Sequence, residues 1–164
     1  MTSTRVTLRP IAAEDLEFLH RLYASTRHDE MRLIDWSDER KESFVRFQFD
    51  AQHRYYQEQF PTATFDVVLD GEIPIGRLYV DRRADEIRLI DIALLPEHRG
   101  QGIGGTLMRR TLTEARLAGK PVRIHVEREN PARRLYDLLG FQPIEEQGVY
   151  DLMEWRPETP RSAT

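Results

Sequence analysis

The sequence predicts an α/β domain: a mixed, mostly antiparallel sheet of about seven strands flanked by about four helices. Three observations predict it. The elements run strand, two helices, three consecutive strands, helix, strand, helix, two strands, so hairpins dominate and only one crossover joins parallel neighbours. Asp70-Gly71 separates two apolar runs of strand character, a strong hairpin signal. A single glycine-rich turn follows the third of the consecutive strands and opens a helix.

Each element has its own warrant. Val6 to Arg9 alternates apolar and polar residues and stops at Pro10, as a strand would. Leu16, Leu19, Leu22 and Tyr23 recur at helical spacing within Ala13 to Tyr23. Ser25 to Trp36 is polar and reads as a loop or broken helix. Ser37 or Asp38 caps a second helix running to about Gln57, with Phe44, Ala51 and Tyr55 on one stripe. Thr64 to Leu69 and Ile73 to Asp81 are the hairpin strands. Glu86 to Leu95 is nearly all apolar from Leu89 onward, which suits a central strand. A helix from Gly102 to Ala118 ends at Gly119-Lys120-Pro121, with Gly past the end and Pro after it. Pro121 to Glu127 is the next strand. Asn130-Pro131 caps and opens a helix ending at Gly140, with Leu135, Leu138 and Leu139 as its buried stripe. Phe141 to Ile144 and Val149 to Trp155 are the last strands, joined near Gly148. Residues 1–156 read as one domain and 157–164 as a polar tail.

Composition narrows the chemistry. The chain has 164 residues, 40% of them apolar, which is enough for a single packed core. Net charge is −4, a poor balance for binding nucleic acid. Arginines do gather at Arg109, Arg110 and Arg116, and again at Arg123, Arg128, Arg133 and Arg134, where a polyanionic cofactor would find them. Cysteine is absent, which removes disulfides, thiolate metal sites and cysteine nucleophiles. The five histidines show no metal-ligand spacing, so no metal is expected. Neither a signal peptide nor a run of about 18 apolar residues is present, so no membrane partner is expected and the cytoplasm is the expected location.

The segment Leu94 to Gly105 carries the most information. A strand ends, and Arg99-Gly100-Gln101-Gly102-Ile103-Gly104-Gly105 leads into a helix. Unpaired N–H groups at a helix start, on backbone without Cβ atoms, form a site for phosphate. Gly100, Gly102 and Gly105 also match the dinucleotide fingerprint, with Glu127 about twenty residues on. That reading fails on context. Pro96-Glu97-His98-Arg99 intervenes between strand and glycine, the preceding strands are hairpins, and only 59 residues follow Gly105.

Arg99-x-x-Gly102-x-Gly104, after its Pro-Glu-His lead-in, resembles the coenzyme A loop of the GNAT family of N-acetyltransferases. Asn130-Pro-Ala132-Arg-Arg-Leu135-Tyr136-Asp-Leu-Leu-Gly140-Phe141 is similar to that family's later motif. With the element order, the resemblance covers about Val6 to Trp155. It implies a sheet splayed between the fourth and fifth strands, and direct transfer of an acetyl group from acetyl-CoA to a primary amine in a ternary complex. The acceptor it implies is a small-molecule or peptide amine, and a homodimer is left open.

Residue by residue, the resemblance implies pyrophosphate on the backbone of Gln101, Gly102, Ile103, Gly104 and Gly105, with Thr106 as a hydroxyl donor. Arg99 and Gly100 begin the loop. Ile92, Ala93 and Leu94 would pair with the pantetheine arm as an added strand does, and the Leu94 N–H would donate to the thioester carbonyl. Asn130 matches the pantetheine-contacting residue, though one residue closer to Ala132 than the common pattern. Tyr136 matches the general acid that protonates the departing thiolate. For a base, Glu86 stands where some relatives carry a glutamate. Asp91 lies among apolar neighbours on the same strand, and alternation puts the two on opposite faces. His125 is a third choice. Trp36, Phe47, Gln48, Gln52, Tyr55 and Tyr150 are candidate acceptor walls, and His28, Asp29 and Glu30 candidate contacts for a cationic amine. The rival readings are a non-catalytic coenzyme A-binding or regulatory module and, behind it, a nicotinamide-binding protein.

Overall fold

The computed structural model describes residues 5–158, so residues 159–164 of the expected polar tail lie outside the described residues. The elements follow the predicted order: β1 (Val6–Pro10), α1 (Leu16–Arg32), α2 (Asp38–Gln59), β2 (Thr64–Asp70), β3 (Ile73–Arg82), β4 (Ile87–Leu94), α3 (Ile103–Ala118), β5 (Val122–Glu127), α4 (Arg133–Leu139), β6 (Gln142–Gln147) and β7 (Tyr150–Trp155). Short 3₁₀ turns occupy Ala13–Asp15 and Pro96–His98. The strands form one mixed sheet in the order β1-β2-β3-β4-β5-β7-β6, which gives the apolar β4 the central place. β4 and β5 are parallel, and the neighbouring β5 and β7 are antiparallel. The chain divides into two compact units, the first holding residues up to Tyr79 with Asp91–Ile103, the second Val80–Ile90 with the chain from Gly104.

In the first unit, β1 pairs antiparallel with β2, from Val6↔Asp70 to Pro10↔Asp66. Leu19, Tyr23 and Met31 of α1 pack on Val45 and Phe49 of α2, and Ile11, Phe18 and Trp36 close over them. The break expected over Ser25 to Trp36 does not occur before Arg32. Ser25 and Thr26 donate to the carbonyls of Leu22 and Tyr23 at 2.6 and 2.7 Å, bonding the helix instead of interrupting it. Arg27 adds a contact over the Tyr23 ring and a bond to Glu30. The side chain of Ser37 caps α2 by accepting the Arg40 N–H at 3.2 Å, and Asp38 and Glu39 suit the positive end of the helix dipole. The stripe expected on α2 is also corrected. The helix buries Val45 and Phe49, while Phe44 and Tyr55 face outward. Phe44 and Val45 are one residue apart, about 100° round the helix, so one misjudged position turns the whole stripe.

In the second unit, β4 and β5 pair over Ile87↔Val122, Arg88↔Arg123 and Leu89↔Ile124. β5 pairs antiparallel with β7 over its full length, Val122↔Trp155 to Glu127↔Tyr150. β6 completes the edge against β7, with a register shift between Pro143 and Glu145 where proline offers no N–H. Buried Leu107, Met108, Leu112 and Ala115 give α3 its apolar face. Helix α4 starts at Arg133, not at Asn130-Pro131. Asn130 Oδ1 accepts the Ala132 N–H at 2.9 Å, so Asn130 closes a turn ahead of the helix and Pro131 sits in that turn. Its expected leucine stripe is corrected in part: Leu135 and Leu139 are half-buried, Leu138 is 85% exposed, and Tyr136 is the buried residue at 3%.

Candidate active site

The glycine loop is built as the sequence predicts. Pro96–His98 forms a 3₁₀ turn after β4, and Gly100 and Gly102 then take φ of +73° and +80°. Those values are costly for any residue with a Cβ. A Cβ at either position would meet nothing within 4 Å, so the backbone borders open space. α3 begins at Ile103, and Gly104, Gly105 and Thr106 make its first turn. The surroundings fit a phosphate: left-handed glycines with open space at Gly100 and Gly102, a sixteen-residue helix presenting its N-terminus, and the Arg109 guanidinium over Gly105, its Nη1 3.1 Å from where a Cβ would stand. Arg99 does not point its charge into the loop. Its Nε donates to the Leu94 carbonyl at 2.9 Å and its Nη2 to Ser25 Oγ at 3.4 Å. Gln101 likewise folds back, donating to the Glu97 carbonyl at 3.0 Å. Both side chains brace the loop.

Ile92, Ala93 and Leu94 are half-buried at the end of β4. β3 reaches β4 without a side chain at Gly76, where a Cβ would lie 2.3 Å from the Ala93 carbonyl oxygen. The next N–H, from Leu95, donates to the Ile75 carbonyl at 2.9 Å, which fixes the end of the strand.

Asp91 has a partner that the sequence reading missed. The guanidinium of Arg77, only 3% exposed, is ion-paired with the Asp91 carboxylate and donates to Gln52 Oε1 at 2.8 Å. Burial opposes the charge on Arg77, and Asp91 together with Tyr79 and Tyr56 more than offsets it, so the pKa of Arg77 is raised. Around this pair lie His53, whose basicity falls through burial and the nearby Arg77 charge, and Tyr79, whose acidity falls through burial. The available signal was an arginine, Arg77, in the middle of one apolar strand and an aspartate, Asp91, in the middle of the next.

Glu86 precedes β4 and is 6% exposed, so it is not a solvated strand-end charge. Arg83, Arg88 and Arg123 surround it at 3.4, 3.3 and 3.7 Å. Arg88 also reaches His125 Nδ1 at 3.3 Å. Tyr136 packs its ring against Phe141, centroids 5.7 Å apart in a T-shaped contact. Asn130 is exposed in its turn. The arginines after β5 are partly spent on structure: Arg128 and Arg133 bind Asp151 at 3.1 and 2.6 Å and hold its pKa below the ordinary 3.8.

The expected acceptor walls are dispersed. Gln52 serves Arg77, and Trp36 meets Phe44 and carries Arg40 over its ring. Phe47 and Tyr55 are 72% and 55% exposed on the outer face of α2. His28, Asp29 and Glu30 lie on the last turns of α1, not in a loop. Among the described residues no group of three or more His, Asp or Glu side chains is arranged to hold a metal ion, and no helix is long and apolar enough to cross a membrane.

Known proteins share this architecture and sequence. The chain is 28% identical over 145 residues to the spermidine N(1)-acetyltransferase of Vibrio cholerae, covering 85% of this chain and 80% of that protein. It is 35% identical over 85 residues to the mycothiol acetyltransferase of Corynebacterium glutamicum, of whose length it spans only 29%. Among solved structures, the PaiA N-acetyltransferase of Thermoplasma acidophilum in complex with coenzyme A superposes with a TM-score of 0.69 at 22% identity, covering 92% of this chain and 98% of that one. PH1933 of Pyrococcus horikoshii gives 0.70 at 18% identity, covering 94% and 99%. At these identities the structures establish the fold. The profile of the acetyltransferase (GNAT) family matches residues 16–141, and the chain belongs to that family.

Proposed function

We propose that this chain transfers an acetyl group from acetyl-CoA to the primary amine of a small molecule by direct attack in a ternary complex. The observation that carries the reading is the loop Arg99 to Thr106, with two left-handed glycines in open surroundings at the start of a long helix. The relatives named for spermidine and mycothiol support a small-molecule acceptor. Acetyl-CoA supplies an activated thioester and a thiol leaving group. The backbone N–H groups of Gln101 to Gly105, with Thr106, hold its pyrophosphate, and Ile92 to Leu94 align its pantetheine arm as an extra strand. Asn130 contributes its amide to the same arm. The Leu94 N–H stabilises the oxygen that becomes anionic during attack. Tyr136 donates its phenol proton to the departing sulfur.

For the incoming amine, Asp91 is a better partner than Glu86. Glu86 is surrounded by three guanidiniums, an anchor for the strand start. Asp91 shares one guanidinium, and its side chain keeps 23% exposure, so a lone pair is accessible to an N–H. Asp91 accepts a hydrogen bond from the amine and orients it; the proton that the nitrogen loses as the amide forms passes to water, and water returns one proton to the Tyr136 phenoxide, so the sum is amide and free thiol.

The test is a screen of polyamines, amino sugars, amino acids and short peptides for acetyl-CoA-dependent thiol release. Release with a small amine, reduced in Asp91→Asn, is expected. Coenzyme A binding without release across all amine classes would favour a non-catalytic cofactor-binding module.

A further inference from the structure

Two histidines hold one phenylalanine inside the α1–α2 pair. Phe49 of α2 is 2% exposed. Its ring meets His20 of α1 edge-on, centroids 5.8 Å apart, and stacks with His53 of α2 at 5.5 Å. Among the described residues, His20 Nε2 and His53 Nδ1 are buried with no hydrogen-bond partner. A neutral imidazole can keep its one hydrogen on the other nitrogen and leave the buried one a lone pair. An imidazolium carries N–H on both, so each ring would then bury a charged donor with no acceptor, at far greater cost. Acyl transfer as described above uses neither ring.

The surrounding charges do not compensate. Glu17 of α1 and Glu42, Arg46 and Asp50 of α2 face His20, and Glu17 is already paired with Arg46 at 3.2 Å. His28 and Arg32 of α1 and Asp38 and Lys41 of α2 border the groove beside it. Asp50 of α2 and Arg77 of β3 face His53. Burial, and after it the Arg46 charge, outweighs the carboxylates and lowers the pKa of His20. Burial, and after it the Arg77 charge, does the same to His53. A histidine whose folded pKa lies below its ordinary 6.5 leaves stability intact above that value and removes it as pH falls below it.

We propose that the His20–Phe49–His53 cluster is an acid-sensitive latch on the α1–α2 pair, which opens when the two rings take up protons. Gln52 is the neighbour of His53 on α2, and it accepts the Arg77 guanidinium that is paired with Asp91. Opening the latch therefore withdraws Gln52 from Arg77 and loosens the carboxylate placed against the amine. That consequence rests on the function proposed above, whereas the opening itself does not. Each proton that the open state binds in excess shifts the opening equilibrium about tenfold per pH unit.

Hydrogen exchange read by mass spectrometry on the full chain, at pH ~7.5 and ~5.5 and corrected for the intrinsic rate, measures the opening. Protection of the α1 and α2 amides should fall at least about tenfold between the two, while that of α3 and β5 changes less than about twofold. His20→Phe with His53→Phe keeps aromatic rings against Phe49 and takes up no proton, so the fall should shrink to about twofold or less. His20→Gln with His53→Gln, neutral at both pH values, should show the same insensitivity, so the result does not depend on how well two phenylalanines fit. Rings with a packing role alone would change protection equally at both pH values. Wild-type protection of α1 and α2 that is the same at both overturns the proposal. So does a loss shared equally by α3 and β5, or one that persists in either double variant.

Discussion

Tyr136 separates ring from hydroxyl. Its ring is 3% exposed and packed on Phe141, so the side chain holds α4 whatever its hydroxyl does. Tyr136→Phe keeps the ring and should leave the melting temperature nearly unchanged. If the phenol protonates the departing sulfur, kcat should fall by roughly 10- to 10³-fold with the Kd for acetyl-CoA within a few-fold. Steady-state kinetics with any acceptor found in the screen decides it, and a fully active Phe variant would remove Tyr136 from the chemistry. Tyr136→Ala should instead cost about 3 kcal/mol or more of stability, a cavity effect. Asp15 gives a second test at this scale, one of stability. It is 4% exposed, accepts two bonds from Arg9 at 2.7 and 2.9 Å and caps the Ala12 N–H at 2.8 Å. The bonds from Arg9, ahead of burial acting in the opposite direction, hold its pKa below the ordinary 3.8. A carboxylate with a depressed pKa contributes stability above its unfolded value and loses it as pH falls through the folded one. Asp15→Asn should therefore be less stable than wild type near neutral pH, by about 2 kcal/mol. The gap should narrow below pH ~4, as the wild-type carboxyl protonates. A gap that is constant from neutral to acid pH would mean that the Asp15 charge contributes nothing.

At the scale of elements, the glycines of the loop divide into two kinds, and substitution tells them apart. Gly102 needs its glycine for conformation, at φ +80°. Gly104 does not: it sits in the first turn of α3 with ordinary helical backbone, and a Cβ there would touch only Leu135 Cδ2 at 3.9 Å. Alanine is the better helix former, so Gly104→Ala should stabilise the fold by up to about 1 kcal/mol. If a phosphate lies against that turn, the same methyl should weaken coenzyme A binding several-fold. Stability raised with affinity lowered is a signature that a plain structural turn would not give, and calorimetry with thermal melts reads both. The elements also show what a sequence alone discloses. Hairpins, the central apolar strand and the glycine loop were legible because each depends on neighbours a few residues away. The faces of α2 and α4 were not. Whether Phe44 or Val45 turns inward depends on where α1 places Leu19 and Tyr23, and whether Leu135 or Tyr136 does depends on Phe141, beyond the end of α4. The continuation of α1 to Arg32 was missed because Ser25 and Thr26 read as breakers, while their hydroxyls bond the carbonyls of their own helix. In the candidate site the backbone loop was readable from glycine spacing. The Arg77–Asp91–Gln52 cluster was not, because it joins three segments distant in sequence.

For the whole molecule, the strongest claim is the identity of the donor, and ligand-linked stability tests it without an acceptor. A ligand that binds only the folded chain raises its stability by RT ln(1 + [L]/Kd), about 2.7 kcal/mol at 100 times Kd. In a chain of 164 residues each kcal/mol is worth about 2–4 °C, so saturating acetyl-CoA should raise the melting temperature by roughly 5–10 °C. NAD, which would occupy the loop if the Gly100, Gly102 and Gly105 spacing marked a dinucleotide site, should not shift it. Both ligands carry a pyrophosphate, so a loop that bound anions without selectivity would respond to both, and that result would leave the donor assignment without support. The loop variant sharpens the comparison. Gly102→Val should abolish the acetyl-CoA shift, since the branched side chain occupies the open space beside the backbone and the left-handed φ becomes costly. The protein should still fold, because Gly102 is exposed and a Cβ there would contact nothing. A full acetyl-CoA shift retained in Gly102→Val would move the donor away from this loop, while the family membership carried by residues 16–141 would stand.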